Sequence, residues 1–368
     1  MLDPQVEKAM IDEIRASYGN PSSMHAFGQE VRNRVTKARR SIADALGVRP
    51  NELVFTSGGT EGVNTVLFGV FDPDYQGHLI TSSIEHSCAY TTSKVIEERG
   101  ADVTFLAPGM EGAVTSEQVK EAIREDTRLI SLMAVNNETG AMIDLEAIAQ
   151  VAWEANIPLF IDAVCLVGKE PFSIPEGVSA FAISGHKFHA PKGIGALYLR
   201  SSFKLHPLLI GGHQENNKRA GTENVPGIIA LAEAYQCLEG EFPDASDRMR
   251  RLRDHFEKEV CSRLPDVVVN GSGRRVVNTS NLSFLGVDGE SLLMNLDLAG
   301  IAVSHGSACS TGALEPSRTL LNMGADKERA STSVRFSLSR FTTQEEIDLT
   351  IDLLVDIVQR LRSPKTVS

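Results

Sequence analysis

Between residues 51 and 200, short apolar runs alternate with segments whose apolar residues recur at helical spacing. The runs cover 53–57, 78–83, 103–107, 129–137, 158–164, 181–185 and 195–200. They lack polar alternation, as strands covered on both faces do. Helical patterns lie between several of them, over 61–70, 87–99, 116–124 and 145–155. This alternation predicts an α/β fold with a mostly parallel seven-stranded sheet and helices on both faces. Beyond residue 240 the rhythm changes to a charged helix over 245–264, strands near 267–270 and 281–285, and a helix near 290–298. A strand over 333–338 and a last helix follow. Thr343-Gln-Glu-Glu346 reads as the capping box of that helix. Ile347, Ile351, Leu354, Val358 and Leu361 make its single apolar stripe. The pattern divides the chain into a large domain, 1–243, and a smaller C-terminal α/β domain, 244–368.

A chain of 368 residues, 42% hydrophobic and 23% charged, has the composition of an ordinary globular protein. Its net charge of -12 argues against nucleic-acid binding, which needs a basic face. No apolar run is long enough for a membrane span, and no signal-peptide pattern opens the chain. The five cysteines, Cys88, Cys165, Cys237, Cys261 and Cys309, have no metal-ligand or paired spacing. They suggest reduced thiols in a cytoplasmic setting, or equally a mitochondrial matrix if a transit peptide has been removed, with no metal site.

In open parallel sheets, ligands sit beyond the carboxyl ends of the strands. The candidate residues fall there: Ser57-Gly-Gly-Thr60, His86, Asn136-Asn137, Asp162 and Ser184-Gly-His-Lys187. A lysine just past a buried strand loses hydration unless it has chemical work. Lys187 can form a Schiff base while Ser184 and His186 hold a phosphate, a combination that points to pyridoxal phosphate, although on this stretch alone it reads equally as a surface lysine in a polar loop. Gly58 and Gly59 let the backbone approach an anion at a helix N-terminus. Asp162 can stand beside a pyridine nitrogen, although taken in isolation an aspartate there reads first as a helix N-cap. His86 can stack on a cofactor ring and move protons, or be a structural histidine. Cys309 lies among Gly, Ser and Ala, a setting for a thiol that moves and reacts, whereas Cys237 and Cys261 read as packing cysteines on helices. Arg335, alone in an apolar strand, needs a carboxylate, from substrate or from an ion pair.

Taken in order, Tyr18-Gly-Asn-Pro-Ser-Ser23, Thr56-Ser-Gly-Gly-Thr-Glu61, Glu85-His86, Val135-Asn-Asn-Glu138, Ser184-Gly-His-Lys187, Arg219-Ala-Gly-Thr222, Gly306-Ser-Ala-Cys-Ser310, Leu314-Glu-Pro-Ser317 and Arg335-Phe-Ser-Leu338 span nearly the whole chain. This series resembles the cysteine desulfurases of the IscS/NifS type, fold-type I pyridoxal phosphate enzymes related to class V aminotransferases. The resemblance implies that Lys187 carries the cofactor, Asp162 pairs with its ring nitrogen and His86 stacks on it. It implies a phosphate site of Gly59, Thr60, Ser184 and His186, completed by Thr222 from the second subunit of a homodimer. Asn137 and Arg335 would hold the carboxylate of L-cysteine. Cys309 would take its sulfur as a persulfide, release alanine, and pass the sulfur to an acceptor protein of iron–sulfur assembly or tRNA thiolation. A related transaminase, a selenocysteine lyase or a non-catalytic homologue are the alternatives. Two departures stand out. The chain opens at Leu2-Asp-Pro, just past the family's usual first strand, and Cys165 replaces a glutamine that donates to the cofactor's phenolate oxygen. A thiol is the weaker donor, so slower chemistry is expected.

Overall fold

The computed structural model describes residues 1–16, 18–242, 244–306 and 315–363. Two compact units are present, one of 1–106, 115–134 and 144–242, the other of 107–114, 135–143 and 243–368.

The first unit is built on seven strands: β1 (Leu53–Thr56), β2 (His78–Ser82), β3 (Asp102–Leu106), β4 (Thr127–Met133), β5 (Leu159–Asp162), β6 (Val178–Ser184) and β7 (Gly195–Leu199). Their order across the sheet is β1-β7-β6-β5-β4-β2-β3. Strands β2 to β6 are mutually parallel, while β7 runs antiparallel to both β6 and β1. Two reversals restore direction, so β1 points the same way as β6. Every residue of β1, β2, β5 and β7 is buried, which accounts for the unbroken apolar runs. The unit's helices are α1 (Pro4–Ala16), α2 (Ala26–Leu46), α3 (Gly59–Phe71), α4 (Ser87–Glu98), α5 (Ser116–Ala122), α6 (Leu145–Glu154) and α7 (Val225–Glu241). On one face Val63, Val66 and Leu67 of α3 and Ile96 of α4 meet Val54, Leu79, Leu129, Phe160 and Ala182 of the sheet in one buried cluster.

In the second unit β8 (Val267–Val269), β9 (Thr279–Phe284) and β10 (Ser333–Ser337) form an antiparallel sheet with β9 in the middle. Helices α8 (Asp244–Arg263), α9 (Gly289–Leu298), α10 (Arg318–Met323), α11 (Lys327–Ser331) and α12 (Gln344–Arg362) complete it. The capping box of α12 forms as its sequence predicts, with Thr343 and Glu346 each accepting the other's backbone N–H. Its stripe of Ile347, Ile351, Leu354 and Val358 is buried against Phe256, Leu282 and Val334.

One predicted strand is shorter than its apolar run. Residues 129–137 read as a single strand, but β4 stops at Met133. The Asn136 side-chain oxygen accepts from the backbone N–H groups of Glu138 and Thr139 at 3.0 and 2.9 Å, a turn that withdraws 135–143 into the second unit.

Candidate active site

The carboxyl edge of the first sheet gathers most of the candidate residues. Gly195 opens β7 opposite Thr56 on one side and Ser184 on the other. A Cβ on Gly195 would lie 2.5 Å from the Ile183 carbonyl oxygen and 2.8 Å from the Cα of Gly58, so only glycine lets the three strand ends close up. Gly58 then caps α3 with φ 149°, a value that side chains avoid. A Cβ on Gly59 would stand 2.5 Å from Cγ2 of Val164, so the turn presses directly on the end of β5.

Asp162 ends β5 and is 7% exposed. One carboxylate oxygen accepts the Val164 N–H at 3.0 Å. No helix begins here, so the helix-cap reading of this aspartate fails. Burial pushes the carboxyl pKa up, against the pull of the Val164 bond and the positive charge of His86 and Lys187. Such a group is short of a full cation partner.

His86 follows β2 as the N-cap of α4, its Nδ1 accepting the Cys88 N–H at 3.2 Å. The Cys88 sulfur lies 3.0 Å from the same nitrogen. Burial first, then the charges of Asp162 and Glu85, push the Cys88 thiol up to about 12, with the Thr60 hydroxyl bonded to it and pulling the other way. Cys88 therefore links Thr60, in the glycine turn, to His86. Sequence reasoning missed it because nothing in Glu85-His86-Ser-Cys88 marks a thiol aimed back at its own helix cap.

Beyond β6 the chain makes one turn of 3-10 helix, Gly185–Phe188. Phe188 turns inward while His186 and Lys187 are exposed. The expected desolvation of Lys187 is therefore absent. The short turn directs its side chain outward, and accessibility rather than burial is what the position provides. The Lys187 carbonyl accepts from Nζ of Lys169 at 2.6 Å, fixing the turn from behind. Ser184 Oγ and His186 Nδ1 are 2.9 Å apart. Although His186 is exposed as a whole, the partial covering of its ring, then the ammonium groups of Lys187 and Lys192, push the imidazole pKa down.

Thr222 sits exposed in the loop before α7. Arg219 anchors that loop to the glycine turn through Glu61 at 2.9 Å, and Glu61 also accepts the Ser57 N–H at 2.8 Å. Burial alone would raise Glu61, but the Arg219 and Ser57 bonds outweigh it and hold the carboxyl below its ordinary value. This ion pair was not foreseen, although both of its residues lie in the motifs.

In the second unit Arg335 donates from Nη1 to the Asn137 carbonyl at 2.5 Å. Its Nε is buried without a partner among the described residues. A guanidinium with a donor still unused can take a carboxylate. Cys309 lies outside the described residues. Cys165 is half-buried, Cys237 is half-buried and Cys261 is exposed. The packing role expected for Cys261 therefore fails, because its position on α8 turns away from that helix's buried residues Leu252, Phe256 and Val260. Among the described residues, no group of three or more His, Cys, Asp or Glu could hold a metal ion. No described helix is long and apolar enough to cross a membrane.

Residues 1–350 match the aminotransferase class-V family model. The chain is 44% identical over 366 residues to cysteine desulfurase IscS of Dictyoglomus turgidum, an overlap of 98% of this chain and 93% of that one. Among solved structures it is similar to a NifS-like protein with TM-score 0.90 and 33% identity, covering 98% of this chain and 97% of the other. It is also similar to DndA from Streptomyces lividans, with TM-score 0.80 and 36% identity over 92% and 97% of the two chains. On the strength of the family match and the extent of these similarities, the chain belongs to the class-V aminotransferase family, among its cysteine desulfurases.

Proposed function

We propose that this protein is a pyridoxal phosphate-dependent cysteine desulfurase whose cofactor is held at the carboxyl edge of the seven-stranded sheet. The observation that carries the site assignment is Asp162: a buried carboxyl, raised by its burial, at the same edge as an accessible lysine and a glycine turn. The residues fit the group. A protonated pyridine nitrogen would supply the cation that Asp162 is short of. The closeness of Gly59 to Val164 keeps side chains out of the turn, leaving its N–H groups for a phosphate.

When bound, the cofactor supplies an electron sink that weakens bonds at the amino acid's α and β carbons. Lys187 provides the amine that anchors it. Thr60, Ser184 and His186 take the phosphate, with Thr222 added from the partner subunit of a homodimer. His86 stacks on the ring. Its Nδ1 is occupied by the Cys88 N–H, so its exchangeable proton sits on Nε2, and that atom moves protons. Asn137 and the unused Nε of Arg335 orient the substrate carboxylate.

Cys309 receives the sulfur. L-cysteine and the Cys309 thiol become L-alanine and a Cys309 persulfide: the substrate C–S bond breaks, an S–S bond forms, carbon is reduced and sulfur oxidised. The acceptor of that persulfide is a protein of iron–sulfur assembly or tRNA thiolation. A reducing, cytoplasmic setting suits this chemistry, because the sulfur-receiving thiol must be reduced again after each transfer.

The test is stoichiometric release of alanine from L-cysteine with a reductant present. Cys309→Ser should abolish it, and undiminished turnover in that variant overturns the role given to Cys309.

A further inference from the structure

Strand β1 lies at one edge of the first sheet. Its Leu53 carbonyl and Phe55 N–H, two residues apart, face the same side of the strand. Two side chains meet them where a further strand would lie. Nη1 of Arg39, on α2, donates to the Leu53 carbonyl at 2.6 Å, and Oε2 of Glu215 accepts the Phe55 N–H at 3.1 Å. The two side chains join each other as a fork, Nη1 to Oε2 at 2.9 Å and Nη2 to Oε1 at 2.6 Å. The Arg39 guanidinium also stands 4.5 Å from the centre of the Phe55 ring. Glu215 is 8% exposed, and each of its oxygens has a donor.

The loop that supplies this carboxylate is strained. Glu215, Asn216 and Asn217 follow one another at φ 47°, 55° and 65°, the left-handed region that residues with side chains avoid. Such a conformation persists only where its surroundings fix it. The fork fixes it at Glu215. Four residues on, Arg219 fixes the loop again through Glu61 in the first turn of α3. Between the two fastenings Phe55, Ser57, Glu215, Arg219 and Glu223 line a cavity of about 50 Å³. Bonds rather than close packing therefore set the distance between the loop and the glycine turn.

We propose that the Arg39–Glu215 fork positions the site of the cofactor's phosphate. Arg39 and Glu215 do not touch the phosphate; they are positioning residues. The fork holds the end of β1, from which the glycine turn springs, and it holds the loop that carries Thr222. In a homodimer each fork bears on two sites, its own chain's through the turn and the partner subunit's through Thr222. The proposal rests on the glycine turn and Thr222 being the phosphate's ligands.

The test compares the full-length, cofactor-free protein with its Glu215→Gln and Arg39→Lys variants by equilibrium dialysis. The ligands are pyridoxal phosphate and pyridoxal, which lacks the phosphate. Each variant should bind pyridoxal phosphate about tenfold more weakly, with pyridoxal affinity changed by less than about twofold. Removing the Glu215 charge would by itself favour an anion, so weaker phosphate binding marks lost position and not lost charge. Arg39→Lys keeps the charge without the fork and carries the comparison if Glu215→Gln does not fold. A merely structural pair would, when broken, weaken both ligands alike, and equal losses overturn the proposal. Wild-type affinities in both variants overturn it too. Wild-type protein that does not prefer pyridoxal phosphate to pyridoxal removes the phosphate site itself, and the fork's role with it. A wild-type preference that both variants keep removes the fork's role alone.

Discussion

The Cys88 sulfur lies 3.0 Å from Nδ1 of His86, the residue that caps the helix on which Cys88 itself stands. Through its contact with Thr60 the same thiol joins the ends of β1 and β2. Two candidate cofactor ligands, 26 positions apart in sequence (86 minus 60), are thus registered by one side chain.

A thiol pushed up to about 12 stays protonated at pH 8 and is a poor nucleophile. Iodoacetamide at that pH should spare Cys88 in the folded protein while modifying the exposed Cys261. In denaturant both should react alike. Peptide mapping that finds Cys88 alkylated as fast as Cys261 in the folded protein would refute the assignment.

Asp162 gives a pH dependence of definite sign. Its pKa is raised in the folded chain, so the folded state holds its proton longer than the unfolded state does. Stability of the cofactor-free protein owed to this group is greatest below the unfolded value of about 4, and falls as pH rises from there through the folded pKa. Cofactor-free Asp162→Asn should therefore melt no lower than wild type at pH 7 and lose that advantage near pH 4. With cofactor supplied, the same variant should release alanine about 10²–10³-fold more slowly, because the fixed negative charge is gone. A variant that melts well below wild type at pH 7, or turns over normally, contradicts this role.

Gly59→Ala tests the cradle. Its new Cβ would stand 2.5 Å from Val164 Cγ2, so the turn or β5 must shift. Overpacking of this kind costs about 1–3 kcal/mol. Denaturant titration should show that loss, and pyridoxal phosphate should dissociate faster on dialysis. Unchanged stability and retention would mean that the contact relaxes freely.

Glu138→Gln tests the buried carboxylate between Ser317 and Thr319. The amide matches its shape but cannot accept from both hydroxyls in the same way, leaving a buried donor or acceptor unmet. A loss of about 1–3 kcal/mol in urea unfolding is expected. No measurable loss would show that the two hydroxyls find other partners.

Much of the sheet was legible because its strands are covered on both faces, so that runs such as Leu79-Ile80 and Phe160-Ile161 carry no polar interruption. The positions of Asp162 and Ser184 at strand ends followed from where those runs stop. Other features depended on geometry that spacing does not encode. The exit of 135–143 from the first unit follows from one side-chain oxygen of Asn136, within what reads as a continuing strand. The exposure of Lys187 follows from a single 3-10 turn. The need for glycine at 195 exists only because two other strand ends converge on it.

The most direct test of the account is borohydride reduction of the purified holoenzyme followed by peptide mass mapping. The account predicts a pyridoxyl phosphate adduct on Lys187 and on no other lysine. An adduct on Lys169 or Lys192 with Lys187 unmodified, or no adduct at all, would contradict it.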